Sequence, residues 1–169
     1  MILSTFTFVH VAISVIGILS GLVVVFGMIC GKSLGGWTRL FLVTTVLTSV
    51  TGFLFPFKGV TPGDVVGLLS LAVLALAITA RYRRQLAGGW RRTYVISAVI
   101  ALYLNVFVLI VQLFEKVPAL EALAPKQSEP PFVVTQVTVM ALFIVLGVLA
   151  VRKFREEAAS VRTQSVRAA

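Results

Sequence analysis

Five long apolar runs follow one another along the chain, separated by short polar connections. They cover about residues 5–29, 40–57, 64–80, 93–114 and 131–151. Apolar runs of about 18 or more residues with few charges are typical of transmembrane helices. The third run is the shortest, and at about 1.5 Å rise per residue it would just cross a bilayer with little tilt. The pattern predicts an all-α fold, a polytopic transmembrane helix bundle of five spans in a single domain covering residues 1–169.

Proline marks the starts of two runs and the longest connection. Thr61 followed by Pro62 is typical of a helix N-cap with proline at the first helical position, and residues 128–131 repeat this pattern before the fifth run. The longest connection covers residues 115–131. Its middle, residues 118–124, predicts either a short helix that lies on the membrane surface and caps the bundle, or a plain interfacial turn.

The basic residues are distributed unevenly over these connections. Of the 15 lysines and arginines, only Lys58, Lys116 and Lys126 fall on one side, and the rest fall on the other, including the tail of residues 152–169. Basic residues are enriched in cytoplasmic loops. The asymmetry predicts that the N-terminus lies outside and the C-terminus inside, with a basic cytoplasmic tail.

Composition supports the membrane interpretation. The chain is 59% hydrophobic and 12% charged, whereas soluble domains have roughly 25% charged residues. The net charge of +9 would suit nucleic acid, but the positions of the charges are explained by orientation in the bilayer, so we expect the lipid bilayer and not nucleic acid as a partner. Residues 1–31 contain no charged side chain, so the first run is interpreted as a span that is retained. The single cysteine, Cys30, excludes an intramolecular disulfide.

The first run carries a polar and small-residue face. His10, Ser14, Gly17 and Gly21 recur at helical spacing and therefore share one face. Glycines four residues apart allow another helix to approach closely. We interpret this face as a helix-packing seam with a histidine about 8 Å below its outer end.

Uncharged polar residues in other runs fall at a similar depth. They are Thr51, Gln112 and Gln136, with Asn105 deeper on the same face as Gln112. With His10 they could form one ligand-binding cluster beneath the connection of residues 115–131. Such donors and acceptors suit a quinone, a lipid or another small neutral ligand. The alternative for each amide is a structural hydrogen bond to a neighbouring helix.

His10 itself has three interpretations. It is a neutral histidine bonded across helices, a ligand-gripping or pH-sensing group, or an axial haem ligand. A haem with two histidine ligands would need a second chain, because no second histidine is present, and a methionine is the alternative second ligand. The sequence predicts no catalytic motif and no metal site. Haem or quinone is therefore a possible cofactor that no sequence motif supports.

Two stretches carry a resemblance. Residues 107–132 and the opening residues 8–24 are similar to segments of small bacterial multi-span inner-membrane proteins. The resemblance implies a multi-pass protein of a bacterial inner membrane and implies no activity.

These observations predict a membrane protein that is not an enzyme and that binds a ligand near its outer face. It would act as a homo-oligomer or as an accessory subunit of a partner membrane protein. The alternatives are a haem-binding redox protein and an oligomeric channel or transporter lined by the threonine-rich second run, which has Thr44, Thr45 and Thr48.

Overall fold

The apolar runs form helices throughout the described chain. The computed structural model describes residues 2–55 and 62–167, with side chains for residues 5–55 and 63–154. The helices are α1 (Ile2–Ile29), α2 (Gly35–Gly52), α3 (Pro62–Ile78), α4 (Trp90–Lys116), α5 (Pro118–Glu121) and α6 (Pro130–Arg167). No strand occurs within these ranges, so the predicted all-α class is confirmed. Thr61 and Lys58 lie outside the described residues.

Among the described residues, four helices are long and apolar enough to cross a membrane, which indicates an integral membrane protein. They are Thr5–Ile29, Gly63–Arg83, Trp90–Lys116 and Pro130–Phe154. The remaining predicted span, which is the second apolar run, corresponds to α2, and α2 is not one of these four helices. Its 18 residues would extend about 27 Å, but Arg39 and several hydroxyl side chains reduce its hydropathy.

Helix ends differ from the apolar runs where polar residues continue a helix. α2 begins at Gly35 and ends at Gly52, so it lies about five residues earlier than the run of residues 40–57. The chain after α3 continues as a π-helical turn (Thr79–Arg83) into the basic connection. α6 extends to Arg167 and so includes most of the predicted basic tail, whereas the apolar run ends near residue 151. Hydropathy marks the part of a helix that suits lipid, and the hydrogen-bonded helix continues beyond it.

Four of the long helices form a ring, and the fifth packs outside it. α1 contacts α2, α2 contacts α3, α3 contacts α4, and α4 closes the ring on α1. Within the described residues the backbones of α1 and α3, which lie opposite each other in the ring, do not come close together. α6 packs in the angle between α1 and α4, and α5 packs on α4. We call the end with the start of α1 and the end of α2 the outer end, following the predicted orientation, and the opposite end the inner end.

The inner half of the ring is filled by large side chains. Phe41, Leu74, Leu102 and Tyr94 are almost completely buried there. The Tyr94 hydroxyl lies 3.3 Å from the Thr38 hydroxyl, which ties the start of α4 to the start of α2. This contact gives a reason for α2 to extend below its apolar run, because Thr38 is buried in the core.

Gly17 and Gly21 let α1 approach both α2 and α4. A Cβ atom at Gly21 would lie 2.6 Å from Leu102 and 2.8 Å from the Phe41 ring. At Gly17 it would meet the side chains of Asn105 and Thr44 at 3.2 Å each. The seam on α1 therefore faces two neighbours at once.

Candidate functional site

A cavity of about 630 Å³ occupies the outer half of the ring, between α1, α2, α3 and α4. Most of its lining is apolar, from residues such as Ile18, Phe53, Val66 and Leu109. Ligand pockets commonly measure about 300–1,000 Å³ and combine apolar walls with a few polar groups. The polar groups here are Thr7, His10, Ser14, Thr48, Ser49, Asp64, Ser70, Asn105, Gln112 and Lys116.

His10 is held in place by α2. Its Nδ1 lies 2.8 Å from Thr51 Oγ1, and its ring meets the Phe55 ring edge-on at 5.2 Å. The Thr51 hydroxyl has one hydrogen, which it donates to the carbonyl of Leu47 at 2.7 Å. Thr51 Oγ1 can then accept from His10, which suits a neutral imidazole with its proton on Nδ1 and its Nε2 as an acceptor at the cavity.

Asn105 lies at the deep end of the cavity. It is 7% exposed, and its Nδ2 atom is buried without a hydrogen bond within the described part of the chain. A buried polar group without a partner costs about 1–3 kcal/mol. A half-turn of the amide exchanges its nitrogen and oxygen, so either atom can be presented to a ligand. Asn105 therefore offers hydrogen-bonding capacity that the folded chain leaves unused.

Gln112 and two charged residues lie nearer the mouth. Gln112 Nε2 donates to a carboxylate oxygen of Glu115 at 3.3 Å. Asp64, at the start of α3, and Lys116, at the end of α4, also line the cavity. The sequence places Lys116 in the longest connection and Asp64 at the first position of the third run, and neither was predicted to belong to the site. The available signal was that both lie within two residues of the outer ends of consecutive runs.

Gln136 lies apart from the other candidates. It is 8% exposed on α6 and donates from Nε2 to the carbonyl of Phe107 at 3.3 Å. It is absent from the cavity lining, which belongs to helices of the ring. The structure therefore brings His10, Asn105 and Gln112 to one cavity, with Thr51 behind His10, and leaves Gln136 between α4 and α6.

The connection of residues 115–131 begins at the cavity, where Lys116 and Val117 line it, and then packs on α4 through α5. It includes the predicted short helix as α5, and Ala124 is completely buried against a cluster containing Ile110 and Phe114. This cluster also includes Phe132 at the start of α6. The connection therefore packs over the outer ends of α4 and α6, on the same side as Gln136.

The hydroxyl groups of α2 face the interior of their own bundle. Thr44 and Thr45 are buried, and the Thr44 hydroxyl donates to the Leu40 carbonyl at 2.7 Å. A pore between chains lined by these groups would need them on the outer surface of the bundle. The structure does not place them there, and below the cavity the centre of the ring is filled by Leu74 and Tyr94.

No cluster of three or more histidine, cysteine, aspartate or glutamate side chains suited to a metal ion occurs among the described residues. The site is thus a neutral hydrogen-bonding pocket with charged groups at its mouth. No protein-family model, no curated protein and no solved structure matches the chain, so its function is argued from this geometry.

Proposed function

We propose that this protein is a five-span integral membrane protein that binds a small neutral amphiphile in the outer cavity. The ligand class is a ring or headgroup with carbonyl and hydroxyl oxygens, such as a quinone or quinol. The observation that carries the proposal is that His10, whose Nδ1 lies 2.8 Å from Thr51 Oγ1, lines a cavity of about 630 Å³. In the tautomer with the proton on Nδ1, its Nε2 would accept a hydrogen bond from the ligand. We propose a binding role and no catalysis.

The distribution of side chains on α2 supports the five-span arrangement, because its buried hydroxyl groups face the interior of the bundle. Its outer surface carries an apolar stripe at helical spacing, formed by Leu40, Val43, Leu47, Val50 and Leu54, each at least 41% exposed. An apolar stripe on the outside of a bundle suits lipid and would be costly in water. The inward hydroxyl groups of Thr44 and Ser49 donate to carbonyls of α2 itself, which satisfies them without water.

Orientation and location follow from the same argument. With five spans, 12 of the 15 lysines and arginines lie at the inner end, which we assign to the cytoplasm of a bacterial cell. The cavity then opens towards the outer leaflet. α6 has an extensive exposed apolar surface, including Val134, Leu142, Ile144 and Val145, which suits lipid, a second copy or a partner membrane subunit.

The cavity has both kinds of hydrogen-bonding group that such a ligand needs. His10 Nε2 would accept from a hydroxyl group, and the amides of Asn105 and Gln112 would donate to a carbonyl group. The apolar walls would hold the ring and the first part of a tail. Because the interior carries no metal cluster among the described residues and only uncharged groups at depth, the ligand head is neutral.

A haem at His10 is the competing proposal, and one observation favours it. An imidazole with Nδ1–H bonded to an oxygen has Nε2 directed to a ligand, as in many metal-binding histidines. His10, however, faces a cavity enclosed by helices of one chain. A haem shared between two chains would have to enter that cavity to reach it.

Binding of ubiquinone-1 to the purified, detergent-solubilised protein tests the proposal. Removing one net hydrogen bond of about 0.5–1.5 kcal/mol lowers affinity by about twofold to tenfold. We expect His10→Ala and Thr51→Val each to weaken binding within this range. Gln136→Leu is the matched control, since Gln136 lies at similar depth but outside the cavity. The affinity of this variant for ubiquinone-1 should stay within twofold of wild type.

Unchanged affinity in His10→Ala would contradict the proposal, as would an equal loss in Gln136→Leu. A Soret absorption band in protein expressed with haem, lost in His10→Ala, would replace the quinone proposal with the haem one. Retention of a phospholipid in the cavity that ubiquinone-1 cannot displace would assign the site to lipid.

A further inference from the structure

A second cavity lies outside the ring, in the groove between α4 and α6. Its volume is about 510 Å³. Its walls are apolar, with Ile96 and Ile100 from α4 and Ile144 and Val148 from α6. The floor is the close approach of the two helices at Gly147, where a Cβ atom would lie 3.4 Å from Val99.

The two ends of this groove differ in chemistry. Its inner end carries Arg92 and Arg152, one from each helix. At its other end the rings of Tyr103 and Phe143 pack at 5.7 Å between centroids. No carboxylate lines the groove within the described residues, so its positive end has no acidic counterpart there.

A smaller pocket of about 160 Å³ adjoins the positive end. It shares Arg92 and Val151 with the groove and adds Arg91 and the glycines Gly88 and Gly89. The apolar groove therefore continues into a compact space with arginine side chains, at the level where a lipid headgroup would lie.

The groove has the length of one bilayer leaflet. Eleven residues separate Arg92 from Tyr103, which at about 1.5 Å per residue is about 16 Å. Half of the hydrocarbon core of a bilayer is about 15 Å. An acyl chain that starts at the arginines would thus end near the aromatic pair in the middle of the membrane.

We propose that this groove is a binding site for an anionic glycerophospholipid of the inner leaflet. Its phosphate lies between Arg92 and Arg152, and one acyl chain lies along the groove over Gly147. Guanidinium groups suit phosphate because their N–H groups donate in pairs to its oxygens. The site lies at the opposite end of the bundle from the outer cavity and does not depend on what that cavity binds.

Native mass spectrometry of the full chain released from nanodiscs tests the proposal. The nanodiscs contain equal amounts of phosphatidylglycerol and phosphatidylcholine with the same acyl chains. We expect wild type to retain phosphatidylglycerol preferentially. Arg92→Gln combined with Arg152→Gln should reduce this preference by about 30-fold, which is about 2 kcal/mol at 1.4 kcal/mol per tenfold.

A matched double variant separates the site from the general basic surface. Lys32→Gln with Arg83→Gln removes the same charge from the inner end, outside the groove lining. We expect its preference to stay within twofold of wild type. Ile100→Trp keeps both arginines and narrows the groove, and it should also lose phosphatidylglycerol.

Four results would overturn the proposal. The first is unchanged preference in the arginine double variant, and the second is an equal loss in the control double variant. The third is full retention of phosphatidylglycerol in Ile100→Trp, and the fourth is its displacement by 10 mM inorganic phosphate, since either would show that the acyl chain contributes nothing.

Discussion

Gly21 on α1 provides a direct test of how closely the ring is packed. A Cβ atom there would lie 2.6 Å from Leu102 Cδ1 and 2.8 Å from two atoms of the Phe41 ring, whereas ordinary contact begins near 3.4 Å. Leu102 would have to retreat by about 0.8 Å and the rigid Phe41 ring by about 0.6 Å. Both residues are completely buried, so neither has free space to enter.

We therefore expect Gly21→Ala to lower the free energy of unfolding by about 1–3 kcal/mol, the usual cost of overpacking a filled core. The measurement is reversible unfolding in mixed detergent micelles, followed by circular dichroism. Gly36→Ala in α2 is the matched control, because a Cβ atom there meets nothing within 4 Å. It should be neutral or stabilising, since alanine favours helix more than glycine does.

A loss below about 0.5 kcal/mol in Gly21→Ala would show that α1 does not approach α2 and α4 as described. Equal losses in both variants would assign the effect to glycine itself and not to this contact.

Three further predictions follow from the hydrogen bonds and the topology. Thr45→Val should raise the free energy of unfolding by about 1 kcal/mol, because Thr45 Oγ1 is buried without a partner among the described residues. Thr44→Val removes a hydroxyl that is hydrogen-bonded and should not raise the free energy of unfolding. Equal effects of the two substitutions in micelle unfolding titrations would refute this. Backbone N–H groups of Ser128 and Lys126 bond the Glu129 carboxylate, and although desolvation raises the pKa of Glu129, these bonds outweigh it and lower the pKa below its usual value. The stabilisation by the Glu129 carboxylate is therefore present above its unfolded-state pKa and is lost as pH falls through the lower folded-state pKa. Glu129→Gln should reduce the free energy of unfolding at pH 7, and the difference from wild type should vanish in acid. A difference that does not depend on pH would contradict this prediction. In a cysteine-free background, Ser128→Cys should react with an impermeant maleimide in intact cells and Arg83→Cys only after permeabilisation, and the reverse pattern would refute the proposed orientation.

The helical class and the approximate helix positions could be predicted because hydropathy depends on each residue's own chemistry. The start of α2 could not, since Thr38 belongs to the helix through a contact with Tyr94, far away in the sequence. The second run also shows the limit of average hydropathy. Its inward hydroxyl groups reduce the average, while its outward face is apolar.

The candidate site was predicted by depth, which a single sequence can indicate. Direction around each helix also depends on which neighbour it packs against, and this is set by contacts between distant residues. Gln136 has a similar depth to His10 but faces the Phe107 carbonyl of α4. Asp64 and Lys116 join the cavity only because α3 and α4 are neighbours in the ring.

The combination of a hydroxyl-bearing face and an apolar face on α2 has a consequence for membrane insertion. A helix enters the bilayer from the translocon according to its summed hydrophobicity, and α2 alone falls short of the other four helices. Its hydroxyl face is covered only when α1, α3 and α4 surround it. We therefore expect α2 to insert efficiently only together with its neighbours, so that a nascent chain released after residue 55 would leave this segment poorly integrated and exposed to quality-control proteases.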